Sequence, residues 1–401
     1  MLEWIFNGLI TFASFALVLG LLVFIHELGH YSVGRFFGVA VERFSVGFGK
    51  PILRYKAKSG TEWVLSRIPL GGYVKFLGDA GGASNPDTEE LAKIKAEMDS
   101  KHGQDVWKSC LHFKPLYQRA LVAFAGPMAN FILAAVLFAG LAWGFGINKR
   151  VAEIQEVVPG GPAARAEFMV GDKILTIDGK EASSVNQVIQ IITLNSGEDL
   201  QVKVQRGTRQ IDLMVTPEKR TKKDGIGGIM TGGVIDVSIG GATIHKTYNF
   251  VQASRYGVEN VGTTLSMTGK YIGRIFQGKE DGKALGGPLK IMAYTGKVSI
   301  MSSQVEGGVG YKLKIAFMSL VSLAAMLSVG LGFANLMPIP VLDGGHLVYY
   351  GYEAVMRRPL SARAQEIGFR VGFAVLISLF LVLTLNDIGY ISSLFDNTGK
   401  M

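Results

Sequence analysis

Three stretches of the chain, residues 4–25, 120–147 and 315–342, contain no charged side chain. As helices rising about 1.5 Å per residue, each is long enough to cross roughly 30 Å of hydrocarbon. A fourth apolar run, 371–385, is short by itself. It lengthens to 367–386, enough to span, if Arg370 snorkels its guanidinium to the headgroups. The pattern therefore predicts four membrane-spanning helices. The first run occupies a signal peptide's place, but it has neither a basic segment before it nor a small-residue cleavage site after it. It is expected to be retained.

The hydrophobic period changes between the second and third runs. Residues 151–217 read as β-rich with helical insertions: QVKVQ and QIDLMV alternate as half-buried strands do, and SVNQVIQIITLN has helical spacing. Asp178-Gly179 suits a two-residue hairpin turn. From 243 to 314 the chain is amphipathic and mixed, with glycine joints at 286–287 and 307–308. This part is expected to lie along the outer membrane face before the third span. The polar run 80–100 reads as a cytoplasmic loop with a short helix.

Composition supports the membrane reading. Of 401 residues, 48% are hydrophobic and only 18% charged, which outweighs the alternative of two or three soluble domains. The formal charge of +9 could suggest nucleic acid, but its basic residues crowd the loops beside the spans, where they act as an orientation signal. Arg35, Arg43, Lys50, Arg54, Lys56, Lys58, Arg67, Lys75, Lys108, Lys114 and Arg119 lie between spans one and two; Arg357, Arg358, Arg363 and Arg370 lie between three and four. These loops are cytoplasmic by the positive-inside rule, so both termini and the long segment 148–314 are extracytoplasmic. A single cysteine, Cys110, excludes an internal disulfide and a cysteine-rich metal site. With this threading, spans one and three run the same way, and the sequence HELGH at 26–30 reaches the same side of the membrane as Asp343.

That shared depth matters for chemistry. Histidines four apart on a helix share a face, so His26 and His30 can each offer a ring nitrogen to one zinc ion. Glu27 is then placed to act as general base toward water activated there. Catalytic zinc ordinarily keeps three protein ligands, and the candidate for the third is Asp343, within NLMPIPVLDGGH at 335–346. Pro338 and Pro340 break the helix there, and non-helical backbone at membrane depth has to be buried in protein or line a wet cavity. Gly344 and Gly345 would let the backbone turn tightly beside the carboxylate. His346 is the alternative ligand or a supporting partner. A plain helix-end Asp followed by a glycine cap remains open as the bland reading. In FAGPMANF (124–131), Gly126 and Pro127 read as close helix packing and a kink rather than as chemistry.

HExxH paired with a distant NxxPxPxLDG resembles the signature of the site-2 protease family of intramembrane zinc metalloproteases. The resemblance extends over GVAVERFSVGFGK (38–50), IPLGGYVKFLG (68–78), FAGPMANF, LGGPLKI (285–291) and LDGGHLVYY (342–350), and it is closest to the bacterial sigma-E regulator branch. It implies zinc on His26, His30 and Asp343, Glu27 as catalytic acid and base, and Asn335 beside the substrate. It also implies that Gly71, Gly72 and Tyr73 belong to a membrane re-entrant β-hairpin that pairs with an unwound substrate strand. An ordinary cytoplasmic hairpin is the alternative.

GPAARAEFMVGDKILTIDG resembles a circularly permuted bacterial PDZ domain, an extracytoplasmic α+β module. GIGGIM (225–230) would then carry a peptide-carboxylate nest at Gly227, Gly228 and Ile229, or those glycines mark a linker. One PDZ copy is visible where the branch has two. The implied organisation is 1–119 for the first span and re-entrant β region, 120–147 for the second span, 148–240 for the PDZ domain, 241–314 for the membrane-surface region and 315–401 for the last two spans. The implied activity is zinc-dependent cleavage of a single-pass transmembrane protein already cut by an upstream site-1-type protease, such as an anti-sigma factor or a signal-peptide remnant, in the bacterial inner membrane and in contact with its lipid. The competing functions are a membrane PDZ scaffold or metal-binding protein without proteolysis, and an anchored protease acting on soluble proteins. An intact Glu27 disfavours the first, since structural zinc needs no base. The lack of a soluble catalytic domain disfavours the second.

Overall fold

The structure is a computed structural model that describes residues 2–78, 88–102, 105–182, 184–223 and 229–396. Its first elements are helix α1 (Leu2–Phe36), strands β1 (Val41–Lys56) and β2 (Glu62–Phe76), α2 (Thr88–His102) and α3 (Leu116–Phe145). A β-rich part follows: β3 (Ile147–Arg150), β4 (Glu153–Val157), α4 (Pro162–Arg165), β5 (Lys173–Ile177), β6 (Lys180–Glu181), α5 (Val185–Thr193), β7 (Leu200–Arg206) and β8 (Arg209–Val215). Four more strands complete it: β9 (Glu218–Lys223), β10 (Ile229–Val234), β11 (Val237–Gly240) and β12 (Thr243–Lys246). The rest is helical: α6 (Phe250–Phe276), α7 (Pro288–Gln304), α8 (Val309–Asn335), α9 (Asp343–Met356) and α10 (Ala362–Asp396).

Among the described residues, α1, α3, α8 and α10 are long and apolar enough to cross a membrane, which makes the chain a multi-pass membrane protein. Their ends correct the hydropathy reading. Helix α1 continues past HELGH to Phe36, so the motif lies inside the helix rather than at its end. Helix α8 stops at Asn335 although the apolar run continues to 342. Met337 and Ile339 each precede a proline, which biases both away from helical backbone.

The chain divides into two compact units. The first comprises Met1–Phe138 and Ile291–Val382. In it α1 packs on α8 through Val18, Leu22 and Ala324, with Leu133, Leu137 and Leu327 around them. Small residues let the helices approach, as they do where lipid tails offer no hydrophobic drive for association. At Gly29 of α1 a Cβ would fall 2.3 Å from the Ala125 carbonyl oxygen of α3, and at Gly332 of α8 it would meet the Phe131 ring and the Pro127 carbonyl. Helix α7 sets Gly296 against Thr11, and its Ser299 hydroxyl bonds Ser14 at 2.9 Å. That packing on α1 is something the expected surface-lying segment takes no account of.

Strands β1 and β2 pair antiparallel with several register shifts, so that 43–46 is flanked by 72–75 and also by 62–65. Their inner face sits on α1 through aromatic contacts. Phe44 stacks on Trp63 at 4.3 Å, and Phe24 and Tyr31 meet it edge-on at 5.6 and 5.8 Å. The sheet is thereby fixed over the turns that carry His26 and His30.

The second unit comprises Ala139–Lys290 and Leu383–Met401. Its main sheet has the order β11-β4-β5-β7-β8, with β6 paired to β5. The alternating residues Leu200, Val202 and Val204 of β7 and Leu213 and Val215 of β8 are buried, and Val188 and Ile192 of α5 close over them. Asp178 and Gly179 both take positive φ, 49° and 73°, as a two-residue hairpin turn between β5 and β6 demands. Helix α6 opens with a reciprocal Asn249–Gln252 capping box. Its last turn carries a buried Arg274 whose guanidinium bonds Glu280, Glu198 and the Ser196 carbonyl. Asp387 of α10, fully buried, accepts the backbone N–H groups of Gly287 and Lys290 at 3.0 Å each.

Candidate metal centre

Helical spacing alone puts His26 and His30 on one face of α1, and the structure aims both Nε2 atoms at one point. They lie 3.2 Å apart. Asp343 completes a triangle: its Oδ2 is 3.2 Å from His26 Nε2 and its Oδ1 is 3.4 Å from His30 Nε2. A tetrahedral zinc with arms of about 2.0–2.1 Å has ligand–ligand edges of roughly 3.3–3.4 Å, so two ring nitrogens and a carboxylate that turns one oxygen toward each fit the ion. Ring nitrogens and carboxylate oxygens converging this closely need a cation or a shared proton between them, since bare lone pairs would repel one another. Among the described residues, the His, Cys, Asp and Glu side chains close enough to share a metal are His26, His30 and Asp343. His346, the alternative ligand, lines the cavity beside the triangle but stands outside it.

Packing fixes each ligand. His30 Nδ1 lies 2.8 Å from the Val122 carbonyl oxygen of α3, an acceptor that keeps a proton on Nδ1 and leaves Nε2 for the metal. Gly126, one turn further along α3, leaves room for that ring: a Cβ there would fall 2.2 Å from His30 Nε2. His26 Nδ1 faces the side chain of the fully buried Asn130 at 3.1 Å.

Asp343 opens α9, so its carboxylate sits at the positive end of a helix dipole. Gly344 and Gly345 act differently from the tight turn expected of them, for neither takes positive φ. They are helical, and they lie where a Cβ would strike the carbonyl oxygens of Leu336 and Ile339, each at 2.3 Å. The broken segment folds back onto the first turn of α9 and holds Asp343 in place. Arg119 of α3 grips Glu353 of α9 through two hydrogen bonds of 2.5 and 3.1 Å, with its guanidinium 5.2 Å over the Tyr350 ring.

A cavity of about 610 Å³ opens onto the triangle. Glu27 is buried and lines it, and its carboxylate takes a backbone hydrogen bond at Val74 of β2. Gly72 makes this approach possible, since a Cβ there would fall 2.7 Å from the Ser45 carbonyl oxygen and 3.1 Å from Glu27 Cγ. Gly71, Tyr73 and Asn335, the last residue of α8, line the same cavity. Every membrane-region site residue singled out in the sequence therefore meets at one place. Of the three more distant ones, Gly227 and Gly228 lie outside the described residues, and Ile229 opens β10 opposite Lys223.

Asn130, Arg119 and Glu353 escaped the sequence reading as site residues. For Asn130 a signal existed: an amide in the middle of an apolar span is costly and asks for a partner.

Four apolar helices and a half-buried His-His-Asp cluster beside a cavity lined by Glu27 define a class, the membrane-embedded metallohydrolases. The chain belongs to peptidase family M50, whose sequence profile matches residues 14–379. It is 38% identical over 381 residues to Metalloprotease MmpA of Caulobacter vibrioides, covering 95% of this chain and 96% of that one. It is 37% identical over 382 residues to "Putative zinc metalloprotease Atu1380" of Agrobacterium fabrum, covering 93% and 94%. With "Putative zinc metalloprotease mll0638" of Mesorhizobium japonicum it shares 36% identity over 382 residues, covering 94% and 98%. The protein is accordingly a zinc-dependent metalloendopeptidase of the site-2 protease type.

Proposed function

We propose that the protein hydrolyses a peptide bond inside the bilayer, in a single-pass transmembrane protein that a second protease has already shortened, such as an anti-sigma factor or a signal-peptide remnant. The observation that supports this most is the cluster of His26, His30 and Asp343, with ring nitrogens and carboxylate oxygens 3.2 to 3.4 Å apart, whose histidines stand on a helix long enough to span a membrane. Zinc held by His26, His30 and Asp343 would supply a Lewis acid that acidifies water and polarises a carbonyl. Glu27 takes the proton of the attacking water and delivers one to the leaving amide nitrogen. Its burial and its tie to Val74 keep the carboxylate aimed into the cavity.

A transmembrane helix has to give up its own hydrogen bonds before its carbonyl can reach the metal, and replacing them requires a strand edge. Residues 72–76 pair with 41–46 on one side, and Gly71, Gly72, Tyr73, Val74 and Phe76 also line the cavity, which suits that role. The exposed apolar side chains of Phe48, Ile52, Leu53 and Ile68 suit a hairpin that dips into lipid. Asn335 would hydrogen-bond the opened substrate backbone. The sheet of the second unit would serve as a PDZ-like module that admits only substrates lacking a bulky ectodomain. The loops rich in Lys and Arg support a place in the bacterial inner membrane with both termini extracytoplasmic.

The test compares wild type with Glu27→Gln and Asp343→Ala in detergent on a tagged single-pass substrate, with zinc measured in each. Glu27→Gln is expected to keep its zinc and to cut on the order of 10²–10⁴ times more slowly, while Asp343→Ala is expected to lose the metal. Equal cutting by wild type and Glu27→Gln would refute the role of Glu27. Unchanged zinc in Asp343→Ala would refute the third ligand.

A further inference from the structure

We infer that Asn130 is a positioning residue for His26: with metal bound it presents its side-chain oxygen to the outer ring nitrogen of that histidine and so fixes which nitrogen is free for zinc. The inference rests on the metal reading above. His26 turns Nε2 toward the cluster, 3.2 Å from both His30 Nε2 and Asp343 Oδ2. A neutral imidazole carries one proton, so a ring that gives the Nε2 lone pair to a metal carries its proton on Nδ1. Nδ1 is then a donor in a buried place, and a buried donor needs an acceptor.

The group facing Nδ1 is the Asn130 amide nitrogen, 3.1 Å away. Two donors would oppose each other there in the metal-bound protein, so that orientation suits only the metal-free ring, protonated on Nε2. A carboxamide is nearly symmetric in shape, and turning it over exchanges oxygen for nitrogen at the same point. The turn exchanges the one bond to His26 and breaks no other, because Asn130 Oδ1 is buried without a hydrogen-bond partner among the described residues. The residue's place does not depend on its amide. Its backbone carbonyl accepts the Ser328 hydroxyl at 2.8 Å, which fastens it at the α3–α8 contact. The two histidines are thus held unequally. His30 faces the Val122 backbone carbonyl, which is an acceptor whatever the metal state. His26 depends on a side chain that can be replaced.

The experiment measures zinc affinity of the full-length protein in detergent, by competition with a chromophoric chelator, for wild type and for Asn130→Asp, Asn130→Ala and Asn130→Leu. A carboxylate can only accept, so Asp preserves the bond, whereas Ala and Leu abolish it. Ala and Leu are expected to weaken zinc binding about 10- to 100-fold, and Asp to stay within about threefold of wild type. The cobalt-substituted Asp variant should keep the wild-type visible spectrum, and the Ala variant should not. A purely structural role for Asn130 predicts the reverse order, because a buried charge disturbs a helix contact more than Leu does. The inference is overturned if Asp loses zinc as badly as Ala, or if Ala binds as tightly as wild type. Should Leu fail to fold, the Asp–Ala pair decides the matter. A wild type that binds no zinc would instead bring down the metal reading itself, and the inference with it.

Discussion

A histidine on a membrane helix reaches a metal only where the neighbouring helix leaves its ring room. Gly126 leaves that room for His30, since an added Cβ would sit 2.2 Å from Nε2, the ligating atom. Gly126→Ala is therefore expected to displace His30, lowering zinc affinity by about 10-fold or more and cutting proteolysis in parallel. Gly140→Ala, on the same helix with nothing within 4 Å of the new Cβ, should change neither. Zinc content and cleavage of one substrate, measured side by side, check both; a Gly126→Ala protein with full metal content would refute the steric account. At this scale the sequence was legible where chemistry is local. His26 and His30 declare themselves because helical spacing alone makes them neighbours. The packing meaning of Gly126 was legible as well, but not its object, because the ring it shelters comes from a helix about a hundred residues away. Asn130 carried a signal of its own, but its partner His26 was hidden for the same reason.

Between α8 and α9 the backbone leaves the helix and returns, and Asp343 is the first residue after the return. Two prolines announced that break in the sequence. Its starting point was not legible, because 336–342 is as apolar as the helix before it and hydropathy reports no helix end inside an apolar run. The glycines were legible as necessary but for another reason than the one that holds. They do not turn the chain; they let it stack on itself, with backbone carbonyls where a Cβ would go. Carbonyls in a closed segment yield less easily than side-chain tips. Gly344→Ala is thus expected to lose stability by about 1–3 kcal/mol through overpacking and to release zinc by shifting Asp343. Gly351→Ala, later in α9 and in open space, is the matched control. Thermal unfolding in detergent with and without chelator separates the two effects: the metal-dependent part of the melting temperature should vanish in Gly344→Ala and persist in Gly351→Ala. Strands β7 and β8 pose no such difficulty, because period-two alternation encodes their buried face directly.

For the molecule as a whole, orientation decides whether the metal serves the cytoplasmic half of the membrane. The distribution of Lys and Arg argues that it does: the loops between spans one and two and between three and four are the basic ones, and on the proposed orientation the segment after α3 would be translocated. The chain supplies its own quiet background for a test. Its single cysteine, Cys110, is fully buried and should resist a membrane-impermeant maleimide. Thr208, in the exposed turn between β7 and β8, and Lys93, exposed on α2, then report the two sides when each is replaced by cysteine. In intact spheroplasts Thr208→Cys is expected to label at once, and Lys93→Cys only after the membrane is permeabilised. The opposite pattern would invert the protein and put HELGH near the outer face. A substrate would then have to meet the metal from the side on which its ectodomain is trimmed, and the proposed order of two cuts would lose its physical basis.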